Sequence, residues 1–250
     1  MGRRRALQGD NRRGEPLANA GAPEPSRTAI TIAAIVPTLN EAAAIAGALR
    51  RLVAQGFAPV IAVDGGSDDA TREFAKGIPG VLAFVAARGR GSQMNAGAAA
   101  SDTEAMVFVH ADTRLPSGAL ALISRALSDP GVVGGSFRLG FDRAHPLLAI
   151  SCWFSRFDSY WTTFGDHALF VRRSVFEAVG GFPGWPLLED VELRKRLLAA
   201  GRLVKLPAAV TTSARRFTAN GVVRRQLANG AILVLHALGA PARRLERWYR

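Results

Sequence analysis

The sequence has very little cysteine and no long apolar run. Cys152 is the one cysteine among 250 residues, which excludes an internal disulfide and any site that needs several thiolates. It lies in the apolar stretch 147–154, so we expect it to be a small buried hydrophobe. The longest uncharged apolar run near the C-terminus, 231–238, is far shorter than the roughly 20 residues that span a bilayer. The arginines near the N-terminus precede no apolar segment, so we expect no secretory signal.

Acidic residues are scarce at both ends of the chain. The formal net charge is +12, yet residues 1–27 carry six Arg against three acids, and residues 215–250 carry eight Arg against one acid. The remaining 18 basic and 16 acidic residues leave a nearly neutral body, which argues against specific nucleic-acid binding. We expect a disordered basic tail over 1–27, one domain over 28–220, and a basic amphipathic helical extension over 221–250.

The C-terminal extension has two interpretations. Its arginines alternate with apolar residues, a pattern that suits a helix lying on an anionic membrane. The same pattern suits a helix that packs on the core and has a basic rim. Because cysteine is scarce, we expect a cytoplasmic protein, with peripheral association at the inner membrane face under the first interpretation.

Short apolar runs alternate with helical stretches over the first half of the chain. Continuous apolar runs are typical of strands buried on both faces, and their alternation with helices indicates a mainly parallel sheet. The sequence therefore predicts an α/β fold with helices on both faces of a central sheet. The predicted strands are 29–36, 59–63, 81–86, 105–109 and 132–137, and the predicted helices are 41–54, 69–76, 92–100 and 117–128. Asn40 is the predicted N-cap of the first helix.

The second half follows a less regular pattern. Residues 145–164 form a long segment rich in aromatic side chains. We expect residues 153–164 and Trp185 to line a cleft that suits lipid or sugar rings, or the segment to pack as a helix against the sheet. Residues 166–171 are predicted to form a strand, and 180–186 a loop. The predicted helices here are 189–200, closed by Gly201, and 222–238, which we expect to be the last.

Polar clusters directly follow four of the predicted strands, at 37–41, 64–69, 88–92 and 110–112. Residues just past the carboxyl ends of parallel strands line one crevice, where α/β proteins bind ligands. We therefore expect these clusters to converge on a single site.

The carboxylates in these clusters suit a nucleotide or a metal. Asp64 can accept hydrogen bonds from ribose hydroxyls or a base, and Gly65 allows a close backbone approach; an ordinary turn with a helix cap is the alternative. Asp112 is a hard oxygen ligand of the kind that Mg or Mn takes together with a diphosphate. His110 is placed to add an imidazole or a hydrogen bond.

The remaining polar residues point to phosphate binding and to base catalysis. Arg88 and Arg90 lie in a glycine-containing loop before a predicted helix, where guanidinium groups and helix N–H donors suit phosphate. That loop lacks the third glycine of a dinucleotide fingerprint. Glu189 and Asp190 open a predicted helix; an ionised Asp there can act as a general base, although helix N-termini commonly carry acids. No Ser–His–Asp arrangement and no zinc spacing is evident.

Together these motifs resemble those of the inverting family 2 glycosyltransferases, which have the Rossmann-like GT-A fold. The resemblance covers roughly residues 30–217 and rests on five motifs in the family's order: 36–41, 63–69, 88–97, 110–112 and 188–190. The form of 88–97, with Gly165-Asp166 and residues 213–217, is similar to a bacterial subfamily often found beside radical-SAM or selenium-related genes.

The resemblance implies a role for each matching residue. The donor would be a nucleoside-diphosphate sugar, with uridine favoured through the family, and the acceptor stays unknown. Asp112 would hold Mg or Mn, with His110 in place of the first acid of the family's Asp-x-Asp. Asp190, within the pair Glu189-Asp190, would be the general base. The residues at the nucleotide would be Pro37, Thr38, Glu41, Asp64, Gly65, Arg88, Arg90 and Ala111.

The acceptor side is less defined by the resemblance. Its candidates are Trp161, Asp166, His167 and Trp185. The Gln-x-x-Arg-Trp motif of processive synthases is missing, and Arg215-Arg216-Phe217 is the nearest feature, which implies one sugar per acceptor. Two alternatives stay open: a metal-dependent nucleotidyltransferase, whose usual basic loop is not seen at 37–41, and a non-enzymatic basic nucleic-acid-binding protein.

Overall fold

The computed structural model describes residues 1–2, 30–157, 167–215 and 221–249. The predicted N-terminal tail therefore lies almost entirely outside the described residues. The strands are β1 (Ile32–Thr38), β2 (Val60–Asp64), β3 (Val81–Val85), β4 (Ala105–Phe108), β5 (Thr113–Arg114), β6 (Val132–Phe141), β7 (Phe170–Arg172) and β8 (Arg202–Thr212). The helices are α1 (Ala42–Ala54), α2 (Thr71–Lys76), α3 (Arg90–Ala99), α4 (Ala119–Ala126), α5 (Pro146–Phe154), α6 (Arg173–Ala178), α7 (Glu189–Ala200), α8 (Val222–Ala237) and α9 (Ala242–Tyr249).

The strands form one mixed sheet in the order β3-β2-β1-β4-β7-β6-β8-β5. The pairs β1–β2, β2–β3, β1–β4 and β6–β8 are parallel, and β7 and β5 join their neighbours antiparallel. Thr38 is in register with Asp64, so the carboxyl ends of β1 and β2 meet at the same edge. The predicted α/β fold with a mainly parallel sheet is confirmed.

Strand β1 shows how the sheet is covered on both faces. Ile32, Ala34 and Val36 pack in one core cluster with residues of α1 and α4. Ala33 and Ile35, which alternate with them, pack in a second cluster with residues of α3, α6 and α7. Because side chains of a strand alternate between faces, a continuous apolar run is what a doubly covered strand requires.

The long strand β8 was not predicted, and it contains a proline, Pro207. A proline inside an apolar run argues against a strand, since it lacks the N–H that a ladder needs. In the structure the pairing of β6 with β8 moves from Phe137–Leu206 to Arg138–Ala209. Pro207 lies in this irregularity, where no ladder hydrogen bond is required of it.

Two of the predicted helix starts are wrong in detail. Asn40 does not cap α1: its φ is 55°, and its side chain accepts a hydrogen bond from the Asp68 N–H at 2.9 Å. The first-turn N–H of Ala42 instead donates to Asp69 at 3.2 Å, across the neighbouring loop. Helix α3 begins at Arg90 rather than at Ser92, so Arg90 is part of the helix and not of the preceding loop.

The C-terminal region contains a second helix beyond the predicted one. Helix α8 ends at Ala237, and α9 follows after a turn at Gly239. Ile232 and Leu233 of α8 pack with Leu187, Val191 and Leu245, so α8 rests on the body of the protein. None of the helices within the described residues is both long and apolar enough to cross a bilayer. Cys152 of α5 is half-buried, less than expected.

Candidate active site

The loops after β1 and β2 are held together by the Asp64 carboxylate. Asp64 is 4% exposed and accepts hydrogen bonds from Thr38 Oγ1 at 3.3 Å, from the N–H groups of Gly66 and Ser67 at 3.0 and 2.9 Å, and from Ser67 Oγ. Burial raises the pKa of Asp64, but these hydrogen bonds outweigh it and lower the pKa below its ordinary value. Asp64 therefore orders the loops after β1 and β2 in this structure. Its contact with a base or ribose stays a prediction.

Gln93 of α3 connects the C-terminal ends of the same two strands, β1 and β2. Its Nε2 donates to the carbonyl oxygens of Thr38 at 2.8 Å and Val63 at 2.7 Å, and the residue is 3% exposed. A Cβ on Gly65 would lie 3.0 Å from Gln93 Oε1, so this close approach favours a glycine. Gln93 was not singled out in the sequence, although it lies in the motif 88–97.

Glu41 forms an ion pair with Arg215, which is distant from it in the sequence. Arg215 Nη2 donates to Glu41 Oε1 at 2.7 Å and also contacts Oε2. This hydrogen bond raises the pKa of Arg215; burial opposes the shift, and the charges of Glu41 and Asp112 add to it. Arg215 therefore binds the loop after β1 and lies within electrostatic range of Asp112 in the loop after β4. The side chain of Glu41 is 9% exposed and that of Arg215 is 48% exposed, so the guanidinium still faces solvent.

Arg90 holds the buried carboxylate of Glu189. Arg90 Nε lies 2.9 Å from Glu189 Oε1 and Nη2 donates to Oε2 at 3.4 Å, which is a bidentate arrangement. The Glu189 side chain is 2% exposed. Burial raises the pKa of Glu189, Arg90 lowers it and Asp190 raises it, with a net upward shift. Arg90 thus stabilises the start of α7; its predicted contact with the diphosphate stays a prediction.

One cavity brings the loop after β4 and the start of α7 together. His110 lines it from the β4 side, and Glu189 and Asp190 line it from α7. The other residues of its wall are Met94, Phe108, Ser136, His167, Leu169, Phe182 and Arg194. Residues about 80 positions apart in the sequence therefore share a single recess, as expected for ligand binding at strand ends.

His167 stays neutral at the inner end of this cavity. It is 3% exposed, and its Nδ1 lies 3.0 Å from the carbonyl oxygen of Phe137. Because a carbonyl can only accept, Nδ1 carries the proton. Burial lowers the pKa of His167 to about 3, and the charges of Lys205 and Arg194 lower it further, against the hydrogen bond to Phe137. His167 is therefore a neutral polar group close to the cations Lys205 and Arg194.

Strained backbone adjoins three of the candidate residues. Among the described residues, the non-glycine positions with positive φ are Asn40 at 55°, Ala168 at 49° and Leu188 at 62°. They directly neighbour Glu41, His167 and Glu189. Such conformations cost on the order of 1–3 kcal/mol and cluster at functional sites, which favours this region as the active site.

The other predicted site residues have less specific environments. Pro37, Thr38, Gly65 and Ala111 are buried at the strand ends, Asp112 is half-buried, and Arg88 is exposed. Trp185 is half-buried, with its ring centroid 5.8 Å from that of His236 in α8. Trp161 and Asp166 lie outside the described residues.

Besides Gln93, the structure adds three polar residues that the sequence did not indicate. Arg194 lies one turn after Asp190 on α7, a spacing that places both on the same side of the helix and could have revealed it. Lys205 of β8 donates to Ser136 Oγ at 2.8 Å and lies 3.4 Å from His167 Nδ1. No local signal could have indicated Ser136 and Lys205, because the strand that pairs them was itself not predicted.

The candidate metal ligands suit a cation that is held mainly by a substrate. Over the described parts of the chain, no three His, Cys, Asp or Glu side chains come together as a metal site. Asp112 supplies one carboxylate, with His110 two residues before it. Mg²⁺ and similar ions are commonly held by one or two carboxylates together with phosphate oxygens and water. The residues present therefore fit an ion that arrives with a diphosphate, and do not fit an all-protein cage.

Residues 33–176 match the family described as Glycosyl transferase family 2. The chain belongs to this family. The protein is a glycosyltransferase, and the nucleotidyltransferase and nucleic-acid-binding alternatives fall away. No curated protein sequence matches this glycosyltransferase.

Solved structures with the same fold are distant in sequence. A mannosyltransferase of Pyrobaculum calidifontis in complex with GDP-Man and Mn²⁺ has a TM-score of 0.63 at 20% identity, over 85% of this chain and 66% of that one. TarS 1-349 of S. aureus in complex with UDP gives 0.61 at 18%, over 88% and 70%. Glucosyl-3-phosphoglycerate synthase of Mycobacterium tuberculosis in complex with phosphoglyceric acid gives 0.61 at 16%, over 85% and 81%. The chain thus spans 66–81% of these solved chains, and the likeness shows the GT-A fold.

Proposed function

We propose that this glycosyltransferase moves one sugar from a nucleoside-diphosphate sugar to an acceptor hydroxyl or carboxyl, with inversion at the anomeric carbon. The observation that carries the proposal is the cavity shared by Asp190, Glu189 and His110. It provides a carboxylate for proton removal opposite the loop that carries Asp112. A nucleotide-sugar donor is supported by structural neighbours that bind GDP-Man, UDP and UDP-GlcNAc, and we favour UDP.

Asp190 is the proposed general base. It removes the proton of the acceptor oxygen as that oxygen attacks the anomeric carbon from the face opposite the leaving diphosphate. Asp190 is half-buried at the first turn of α7, and its side chain lines the cavity. Glu189 does not transfer a proton in this step. Arg90 holds its carboxylate at 2.9 Å, so Glu189 fixes the start of α7 and thereby orients Asp190.

The leaving diphosphate is proposed to lie between the loops after β1, β3 and β4. Arg88 and Arg215 are exposed enough to reach it, and Asp112 with His110 would hold Mg or Mn, supported by the Mn²⁺ of a neighbour. That ion would offset negative charge on the departing oxygens. The nucleoside would rest against Pro37, Thr38 and the loop that Asp64 orders. Of the acceptor candidates, His167 lines the same cavity as Asp190, and Trp185 lies in the segment just before α7.

The test compares Asp190→Asn with Glu192→Gln, an acid two residues later in the same first turn. Thermal shifts with UDP, GDP and dTDP, each with and without Mn²⁺, first identify the base. Donor turnover by Asp190→Asn should then fall by about 10²–10⁴-fold, with the nucleotide shift retained. Glu192→Gln should keep both. Turnover retained in Asp190→Asn would refute the assignment of the base.

A further inference from the structure

Helix α5 carries a stripe of apolar side chains that faces solvent. Ile150, Trp153 and Phe154 lie on one face of α5, and Phe157 follows three residues after the helix ends. They are 52%, 49%, 47% and 52% exposed. The Trp153 ring lies 5.0 Å from that of Phe154 and 5.3 Å from that of Phe157. Water thus contacts a cluster of aromatic rings of the kind that is otherwise placed in a core or an interface.

A second stripe runs along α8 to Leu238, the residue after its end. Val223, Leu227, Val234 and Leu238 are 57%, 69%, 47% and 79% exposed, and their spacing keeps them on one side of the helix. The opposite side of α8 is also apolar, since it packs into the body of the protein. A helix that is apolar on both sides is usually buried on both. We therefore expect the outward stripe of α8 to contact another apolar surface.

The two stripes lie on adjoining helices. Gln226 of α8 donates to Ser151 of α5 at 2.6 Å, and Leu148 and Val222 share one core cluster with Ala214. We call the combined surface the α5–α8 face. It consists of Ile150, Trp153, Phe154, Phe157, Val223, Leu227, Val234 and Leu238.

The charge around this face is positive. Neither α5 nor α8 contains an acidic residue, and Arg143 and Arg156, which flank α5, are exposed. Arg224 is exposed within α8. A second copy of this chain would bring the same positive charge to the contact, whereas anionic lipid headgroups would complement it. Apolar side chains bordered by arginines are typical of helices that lie in a bilayer interface.

We propose that the α5–α8 face docks on a bilayer that contains anionic lipid. Its position also bears on the acceptor. The inner side of α8 packs against Leu187 and Leu188, the two residues before α7, so only α8 would separate a docked bilayer from the start of the helix that carries Asp190. Docking would then present an acceptor carried by a lipid to the active site; this step rests on the proposed function, whereas the docking itself does not.

The test is sedimentation of the full-length protein with lipid vesicles. Vesicles of phosphatidylcholine with about 30 mol% phosphatidylglycerol are compared with phosphatidylcholine alone, at about 0.1 M and about 0.5 M salt. The variant is Trp153→Glu with Leu227→Glu. The matched control is Phe74→Glu with Leu82→Glu, which changes two residues of similar exposure, 46% and 45%, near the opposite edge of the sheet. Circular dichroism checks that each protein is folded.

Docking predicts that wild type and control bind the anionic vesicles more tightly than the neutral ones, and less at high salt. The α5–α8 variant should bind at least about tenfold more weakly. Equal binding by variant and control would overturn the proposal. So would a wild type that ignores vesicles and dimerises in sedimentation velocity through the same residues. The UDP thermal shift, measured in parallel, tests the proposed function separately. If wild type and both variants all lacked this shift, the result would count against the proposed function and leave the docking proposal intact.

Discussion

Asp64→Asn should destabilise the protein by weakening the hydrogen bonds that order the loops after β1 and β2. The hydroxyls of Thr38 and Ser67 both face Oδ1, and the N–H groups of Gly66 and Ser67 both face Oδ2. An asparagine would turn its NH₂ toward the hydroxyls, because hydroxyls can rotate to accept and N–H groups cannot. The two backbone bonds then survive but lose the help of a charge.

The size of the effect follows from those two bonds. A hydrogen bond to a charged group contributes about 1.5–3 kcal/mol, and a neutral one about 0.5–1.5 kcal/mol. Two such exchanges should therefore cost about 2–3 kcal/mol, which at 2–4 °C per kcal/mol lowers Tm by roughly 4–12 °C. Asp68→Asn is the control, since Asp68 is exposed in the same loop and should change stability by less than about 0.5 kcal/mol.

The pH dependence gives an independent check on Asp64. The folded-state pKa of Asp64 is lowered, so its carboxylate stabilises the fold above the unfolded-state pKa of about 3.9. That stabilisation is lost as the pH falls through the lower folded-state pKa. Urea unfolding at a series of pH values should show the gap between wild type and Asp64→Asn shrinking below about pH 4. A gap that does not depend on pH, or equal losses in Asp64→Asn and Asp68→Asn, would refute the reasoning.

Other perturbations test the packing, the buried histidine and the metal. Gly97→Ala should cost about 1–3 kcal/mol in urea unfolding, because its Cβ would lie 2.4 Å from Ile35 Cγ2, whereas Gly184→Ala meets nothing within 4 Å and should be near neutral. The pKa of His167 is lowered to about 3, so wild-type stability should fall as the pH drops from about 6.5 toward 3, by up to about 1.4 kcal/mol per pH unit. His167→Gln should flatten this slope in urea unfolding. An unchanged slope would contradict the role of His167 in the pH dependence. Asp112→Ala should remove the part of the UDP thermal shift that requires Mn²⁺, and an unaltered Mn²⁺ titration would rule out its metal role.

The architecture of the first half could be predicted because its signals are local. Strands such as β1 and β4 are buried on both faces and therefore appear as continuous apolar runs. Once the strands are known, parallel topology places the residue after each one at the same edge of the sheet. His110 and the Glu189-Asp190 pair, which share the cavity, could therefore be proposed as neighbours from the sequence together with the family resemblance.

The partners of these residues depended on the tertiary structure. Glu41 pairs with Arg215 across 174 positions, and Arg90 pairs with Glu189 across 99. Side chains so distant in sequence meet only because packed helices and strands bring their backbones together, and no local pattern records that. Strand β8 was missed for a related reason: the bulge that accommodates Pro207 exists only through pairing with β6. The sequence alone determined which residues stand at the strand ends, and the tertiary structure decided which charges face one another there.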